Sequence, residues 1–119
     1  MRDLYLVVLR CRDIEKTKAF YEHFGMTFQL EQHGNGPKHY AHDDEGGVLE
    51  LYPTTGGADQ TGLGFTSTDI EGLNKRFKLG KYAPREVRAT EMGRQFVVLD
   101  PDGRRVEVTE RMESTDVPA

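Results

Sequence analysis

The sequence predicts an α+β fold made of two β-α-β-β-β repeats. The length of 119 residues suits one ordinary domain. Short apolar runs and amphipathic segments follow each other in the order strand, helix and three strands, and this order occurs twice. The repeat is also visible in the letters, because Asp13-Ile14-Glu15 returns as Asp69-Ile70-Glu71 and Val48-Leu49-Glu50-Leu51 is echoed by Val106-Glu107-Val108.

The first repeat begins with a strand and a helix. Residues 4–11 are apolar or β-branched over a run too short for a helix, which predicts a strand with both faces at least partly covered. Asp13 is a suitable N-cap for the segment that follows. Apolar residues at helical spacing over residues 14–24 predict an amphipathic helix, and Gly25 provides its C-terminal stop.

Three more strands complete the first repeat, which spans residues 4–53. They are predicted over residues 26–32, 38–42 and 48–52. The two intervening segments are rich in Gly, Asn, Asp and Pro, which favours turns. Residues 53–62 have no periodicity and are the predicted linker between the repeats.

The second repeat, residues 62–110, has the same order of elements. Asp69 caps its helix and Gly80 ends it. The strands are predicted over residues 62–68, 85–90, 95–99 and 105–109. The predicted domain is therefore residues 1–111, and residues 112–119 are expected to form a loose C-terminal tail.

Charge and hydropathy exclude two classes of partner. The chain has 16 basic and 20 acidic residues, and the basic residues are scattered, so nucleic acid is not an expected partner. No apolar run approaches the length of a membrane helix, and the N-terminal segment is too short and too quickly charged for a signal peptide. The lone Cys11 fits a reducing compartment, so we expect a soluble cytoplasmic protein.

Two motifs resemble those of a known family. LRCRDIEKTKAFYE at residues 9–22, followed by Gly25-Met26, is similar to the opening strand and helix of the vicinal-oxygen-chelate superfamily. Asp100-Pro101-Asp102-Gly103, followed by Val106-Glu107, resembles the closing turn and strand of that family. The superfamily contains glyoxalases, bleomycin resistance proteins and extradiol dioxygenases, and the resemblance covers residues 4 to about 110. It implies that the two repeats form a curved mixed sheet around a cleft.

The resemblance also implies where a metal would be bound. Metal-using members place one ligand on the first strand and one on the fourth strand of each repeat, and the matching positions are Leu6, Glu50, Leu63 and Glu107. Leucine has no ligand atom, and two carboxylates alone make a poor site for zinc, nickel or iron. We therefore expect no metal cofactor. A divalent metal held through Glu50 and Glu107 is the alternative.

The alternation of side chains along strands predicts which residues line the cleft. Glu50 and Glu107 are the candidate catalytic residues. The candidate ligand-binding residues are Leu6, Val8, Arg10, His39, Tyr52, Leu63 and Phe65.

The spacing of three histidines argues against a simple metal site. His39 and His42 are three residues apart in a predicted strand, so they point to opposite faces, and His33 belongs to a Gly-Pro turn. We expect them to face solvent or the rim of the cleft. His39 remains a candidate proton donor or acceptor, because an imidazole titrates near neutral pH.

The sequence favours a protein that binds a small organic molecule in the cleft without the usual histidine-containing metal site. The alternative is a glyoxalase-like isomerase or lyase that uses Glu50 or Glu107 as general base. A dioxygenase ranks below both, and the sequence leaves open whether the protein is an enzyme. Members of the family commonly pair, so we expect a homodimer.

Overall fold

The computed structural model describes residues 2–112, and the chain divides between Thr61 and Gly62 into two compact units. Each unit has the element order β-α-β-β-β and its own four-stranded mixed sheet. The predicted α+β class and both repeats are thus confirmed. Of the predicted tail, all but Met112 lies outside the described residues.

Among its described residues, the first unit contains one α-helix. The elements are β1 (Leu6–Cys11), α1 (Ile14–Tyr21), β2 (Gln29–Glu31), β3 (His39–Asp44) and β4 (Gly47–Pro53). Asp13 caps α1, since its carboxylate accepts hydrogen bonds from the backbone N–H groups of Glu15 and Lys16. A 3₁₀ turn over Glu22–Phe24 follows, and Gly25 ends it with a φ of 86°.

The strands of the first unit lie in the order β1-β4-β3-β2. β1 is parallel to β4, and the other two pairs are antiparallel. Helix α1 packs on one face, where the hydroxyl of Tyr40 donates to Glu15 Oε2 at 2.5 Å. Leu9, Leu51 and Phe20 are fully buried and form the centre of this core.

The second unit repeats this topology. The elements are β5 (Leu63–Ser67), α2 (Ile70–Leu79), β6 (Arg88–Thr90), β7 (Gly93–Leu99) and β8 (Arg105–Glu110), and the strand order is β5-β8-β7-β6. The core lies between α2 and the sheet, where the ring centroids of Phe77 and Phe96 are 6.2 Å apart in an edge-to-face arrangement. Val106 and Val108 are fully buried there.

The predicted elements are present, but their lengths differ. The shortest strands, β2 and β6, cover only three residues each, fewer than predicted. Both lie at an edge of their sheet and pair on one side only, and β3 and β7 each continue beyond the three residues that are paired. No helix among residues 2–112 is long and apolar enough to cross a membrane.

Candidate functional site

One face of the first unit's sheet points away from α1, and we call it the distal face. Directly paired residues of neighbouring strands point to the same side, so the register defines its members. Val8 and Ala41 both pair with Glu50, and Glu31 pairs with His39. Eight side chains of the distal face are candidates for a functional site: Leu6, Val8, Arg10, Glu31, His39, Val48, Glu50 and Tyr52.

Part of the distal face is apolar and incompletely covered. Leu6 is 36% exposed, and Val8, Val48 and Tyr52 are half-buried. On the opposite face of the same sheet, Leu9 and Leu51 are fully buried. The distal face therefore leaves apolar surface in contact with water, which is what a site for an organic ligand requires.

Next to this apolar surface lies a group of two histidines and two glutamates, which we call the histidine–glutamate cluster. Its members are Glu31 at the end of β2, His33 in the following turn, His39 at the start of β3 and Glu50 in β4. One ligand atom from each lies within 4.8 Å of the others. The hairpin formed by β2 and β3 brings three of them together, and the pairing of β3 with β4 adds Glu50.

His39 is the buried member of the cluster, with a side chain only 1% exposed. Its Nδ1 lies 3.2 Å from the carbonyl oxygen of Pro37. Its Nε2 lies 3.4 Å from Glu31 Oε1 and 3.6 Å from Glu50 Oε2. Neither contact is a hydrogen bond, so Nε2 is a buried polar atom without a hydrogen-bond partner among residues 2–112.

Aromatic stacking fixes the His39 ring from one side. The ring of Tyr52 is nearly parallel to it at 11°, with centroids 4.0 Å apart. The guanidinium of Arg10 in turn lies 5.0 Å from the centroid of the Tyr52 ring. The backbone N–H of Arg10 donates to Asp59 Oδ1 at 2.6 Å, which ties the end of β1 to residue 59.

The first unit brings together six of the residues predicted from the sequence. They are Leu6, Val8, Arg10, His39, Glu50 and Tyr52. His39 does not face solvent, which was one of the positions expected for it, because stacking on Tyr52 and the neighbouring carboxylates bury it. His39 and His42 do occupy opposite faces, and His42 instead binds Asp44 and the backbone of Thr27.

Two members of the cluster, Glu31 and His33, were not predicted from the sequence. The spacing of His39 and His42 indicated opposite faces, whereas the partner of His39 is His33, whose ring centroid lies 5.0 Å away. The signal that could have found them was the hairpin itself. A short turn between two strands brings the residues just before it close to those just after it.

The second unit does not unite its predicted site residues. Glu107 pairs with Gly64 and Val97, whereas Leu63 and Phe65 pair with the buried Val106 and Val108. Leu63 and Phe65 therefore lie on the helix side of their sheet, opposite to Glu107. The expectation that they share a face with Glu107 fails because β5 is shifted by one residue relative to the predicted register.

The histidine–glutamate cluster has no counterpart among the described residues of the second unit. In the register of the second unit, Arg88 occupies the position that corresponds to Glu31, and Gln95 occupies the position that corresponds to His39. The amide of Gln95 donates to Thr109 Oγ1 at 3.0 Å, so this polar position is satisfied within the sheet. The two repeats thus share a backbone but not a cluster.

The four family positions for a metal do not fit an ion in this chain. Leu6 and Leu63 offer no ligand atom, and Leu63 lies on the helix side of its sheet with Val106. Of that set, only Glu50 and Glu107 carry oxygen donors.

Comparisons with known proteins identify the fold. The sequence matches the family model described as Glyoxalase/Bleomycin resistance protein/Dioxygenase superfamily over residues 4–108. A search of the curated proteins found no match.

Several solved structures are similar over nearly their whole length. Lactoylglutathione lyase from Agrobacterium tumefaciens is 20% identical with a TM-score of 0.67, over 90% of this chain and 92% of that chain. TnmS3, an antibiotic binding protein from Streptomyces sp. CB03234, is 22% identical with a TM-score of 0.71, over 92% and 96%. Oxidase ChaP-H2 is 15% identical with a TM-score of 0.76, over 95% and 96%. At these identities the likeness shows a shared fold, and the names of the three proteins refer to three different activities.

Proposed function

Because the chain belongs to the glyoxalase/bleomycin resistance protein/dioxygenase superfamily, we propose that it binds a small organic molecule on the distal face of its first unit. The observation that carries this proposal is the incomplete burial of Leu6, Val8, Val48 and Tyr52 on a face whose opposite side is a closed core. The structural likeness to an antibiotic binding protein supports binding as a role of this fold.

The composition of the distal face suits such a ligand. Binding sites for organic molecules combine apolar surface with a few fixed polar groups that orient the ligand. Here the apolar surface is provided by the aliphatic side chains and the Tyr52 ring, and the polar groups belong to Arg10 and the histidine–glutamate cluster. Binding at this face does not require the metal positions of the family, two of which are leucine.

A second candidate is an isomerase or lyase of the glyoxalase type. Glu50 is only 16% exposed in its side chain, and its Oε2 lies 3.6 Å from His39 Nε2, so a base and a second proton carrier are adjacent. Glu107 of the second unit is the other candidate base. Turnover of a methylglyoxal–glutathione adduct that is lost in Glu50→Gln or in Glu107→Gln would favour this candidate over binding alone.

Ligand binding can be tested with a matched pair of substitutions. Leu6→Asp places a charge on the distal face, whereas Leu30→Asp changes another exposed leucine of the same sheet, on the side of Tyr40. Native mass spectrometry of freshly purified protein and equilibrium dialysis with a panel of aromatic antibiotics should detect a bound molecule. Binding should be lost in Leu6→Asp and kept in Leu30→Asp. Equal binding by both variants, or no bound molecule in either measurement, would contradict the proposal.

We also propose a cytoplasmic location. Cys11 is the one cysteine of the sequence, and its side chain is buried in the first unit, so folding requires no oxidising compartment. Fractionation of cells that express the untagged chain, with detection by antibody, tests this location.

A further inference from the structure

We propose that the histidine–glutamate cluster binds one divalent transition-metal ion, with Glu31, His33, His39 and Glu50 as its ligands. The site lies wholly within the first unit. It is a different site from the one that the family resemblance implies, because it shares only Glu50 with those positions.

The donor set suits a transition metal better than calcium or magnesium. Two imidazole nitrogens and two carboxylate oxygens match the ligands that Zn²⁺ takes in proteins, whereas Ca²⁺ and Mg²⁺ prefer all-oxygen sites. Two carboxylates also balance the charge of a divalent ion, so binding would leave the cluster electrically neutral when both histidines are neutral. A cation therefore removes the repulsion between Glu31 and Glu50 at the same time.

The distances are close to those of an occupied site. Ligand bonds of about 2.1 Å in a tetrahedron place neighbouring ligand atoms about 3.4 Å apart. In the cluster, His39 Nε2 lies 3.4 Å from Glu31 Oε1 and 3.6 Å from Glu50 Oε2, and His33 Nε2 lies 3.7 Å from Glu31 Oε1. Shifts of a few tenths of an ångström would complete these three edges.

The hydrogen bonding of His39 prepares its other nitrogen for a metal. The carbonyl oxygen of Pro37 can only accept, so Nδ1 of His39 must donate its proton there. In the neutral ring, Nε2 then carries a lone pair, and this lone pair faces two carboxylates without a hydrogen bond. A backbone carbonyl that holds the second nitrogen of a ligating histidine is a common arrangement around metals.

The cluster is open on one side, which gives an ion a path of entry. The side chains of His33 and Glu31 are 71% and 40% exposed, while those of His39 and Glu50 are 1% and 16% exposed. Two ligands are thus held rigidly in the sheet, and two can close over the ion from the surface.

Titration calorimetry with Zn²⁺ tests the site on chelator-treated protein that carries no histidine tag. We expect one ion per chain, and we expect Glu31→Gln and His33→Ala each to weaken binding by about 100-fold or more. Both side chains are at least 40% exposed, so neither change should prevent folding. His39→Gln should abolish binding, with circular dichroism as the check on its fold.

Two control variants show whether Zn²⁺ binding depends on the histidine–glutamate cluster. His23→Gln removes a histidine of the same unit whose Nδ1 contacts the carbonyl of Ala19, and it should leave Zn²⁺ binding unchanged. Glu107→Gln removes the carboxylate that corresponds to Glu50 in the second unit, and it should also have no effect. Loss of binding in Glu107→Gln with full binding in Glu31→Gln would overturn the proposal in favour of the family positions.

Two further outcomes would also overturn it. In the first, Zn²⁺, Ni²⁺, Co²⁺ and Mn²⁺ give neither binding heat nor a rise in melting temperature. In the second, the double variant that combines His33→Ala with Glu31→Gln binds the ion as tightly as the wild type does. The result is independent of the proposed organic ligand, because Leu6→Asp should retain Zn²⁺ binding whether or not it loses the organic molecule.

Discussion

Arg104 has a guanidinium group that is completely buried in the second unit. Its Nη1 donates to Asp100 Oδ2 at 3.0 Å and to Asp102 Oδ2 at 3.1 Å, and both carboxylates are also buried. Asp100 Oδ1 also accepts hydrogen bonds from the backbone N–H groups of Asp102 and Arg104, so the Asp100 side chain stabilises the turn between β7 and β8. Removal of one partner from such a group leaves a buried charge without its counter-charge.

Replacement of Arg104 by methionine should therefore lower the free energy of unfolding by about 3–5 kcal/mol. Chemical denaturation measures this change. Arg105→Met is the matched control, because Arg105 is the next residue and is exposed, and it should change stability by no more than about 0.5 kcal/mol. Similar losses in the two variants would contradict a special role for the buried ion group.

Asp44 provides a prediction on pH. A hydrogen bond from His42, and then one from the backbone of Gly46, lower the pKa of the Asp44 carboxyl below its ordinary value of 3.8. A group with a lowered pKa in the folded state stabilises the fold above its ordinary pKa, and this contribution is lost as the pH falls through the folded-state pKa.

Asp44→Asn should therefore destabilise the protein near neutral pH but not in strong acid. Chemical denaturation of the wild type and the variant over a pH series measures the difference in unfolding free energy. The difference should shrink as the pH falls below 3.8, the ordinary pKa of this carboxyl. A difference that stays constant across the series would show that the charge of Asp44 does not contribute.

Single residues show what the sequence could and could not predict about the site. Glu50, Tyr52 and Val8 were placed on one face correctly, because side chains alternate along a strand whatever its partner is. Glu31 and His33 were missed, because their proximity to His39 depends on how two strands pair. Alternation is a property of one segment, whereas a cluster is a property of the register between segments.

At the scale of elements, the hairpin between β3 and β4 depends on one glycine. Gly47 has a φ of 125°, a conformation that L-residues rarely adopt. A Cβ atom at this position would also lie 2.8 Å from the carbonyl oxygen of Tyr5. That oxygen accepts a hydrogen bond from the backbone N–H of Val48, which joins the start of β1 to β4.

Gly47→Ala should therefore destabilise the first unit by about 1–3 kcal/mol, through backbone strain and the contact with Tyr5. Thermal and chemical denaturation measure the loss. Gly57→Ala is the control, because a Cβ there meets no described atom within 4 Å and its φ is not in the left-handed region. Equal stability of the two alanine variants would contradict this role of Gly47.

Elements were predicted well in order and less well in pairing. Capping residues and helical spacing located both helices, with Asp13 and Asp69 observed as N-caps. Leu63 of β5 was expected to lie on the same face as Glu107, as Leu6 of β1 lies on the same face as Glu50. Instead Gly64 pairs with Glu107, so Leu63 lies on the opposite face. Only the pairing with β8 shows that shift, because Leu63 and Phe65 are apolar enough for either face.

At the scale of the whole molecule, the duplication preserves topology but not chemistry. Both units have the same strand order, yet Arg88 and Gln95 occupy the positions of Glu31 and His39. The apolar core fixes the pattern of buried residues in both repeats, while the residues of the distal face remain free to differ. A function that depends on the cluster is thus expected from one unit only.

The predicted homodimer is the last expectation for the whole molecule. Leu4 and Tyr5 are 81% and 70% exposed, and they precede β1, which lies at an edge of its sheet. Burial of such side chains favours association by about 25 cal/mol per Å² of apolar surface.

Light scattering coupled to gel filtration should give about twice the chain mass of 13.5 kDa. Leu4→Glu should shift the protein toward the monomer, whereas Leu79→Glu, at a leucine that is 75% exposed on α2, should not. A wild-type mass of one chain at high micromolar concentration would refute the dimer, and equal dissociation by both variants would refute the role of the segment before β1.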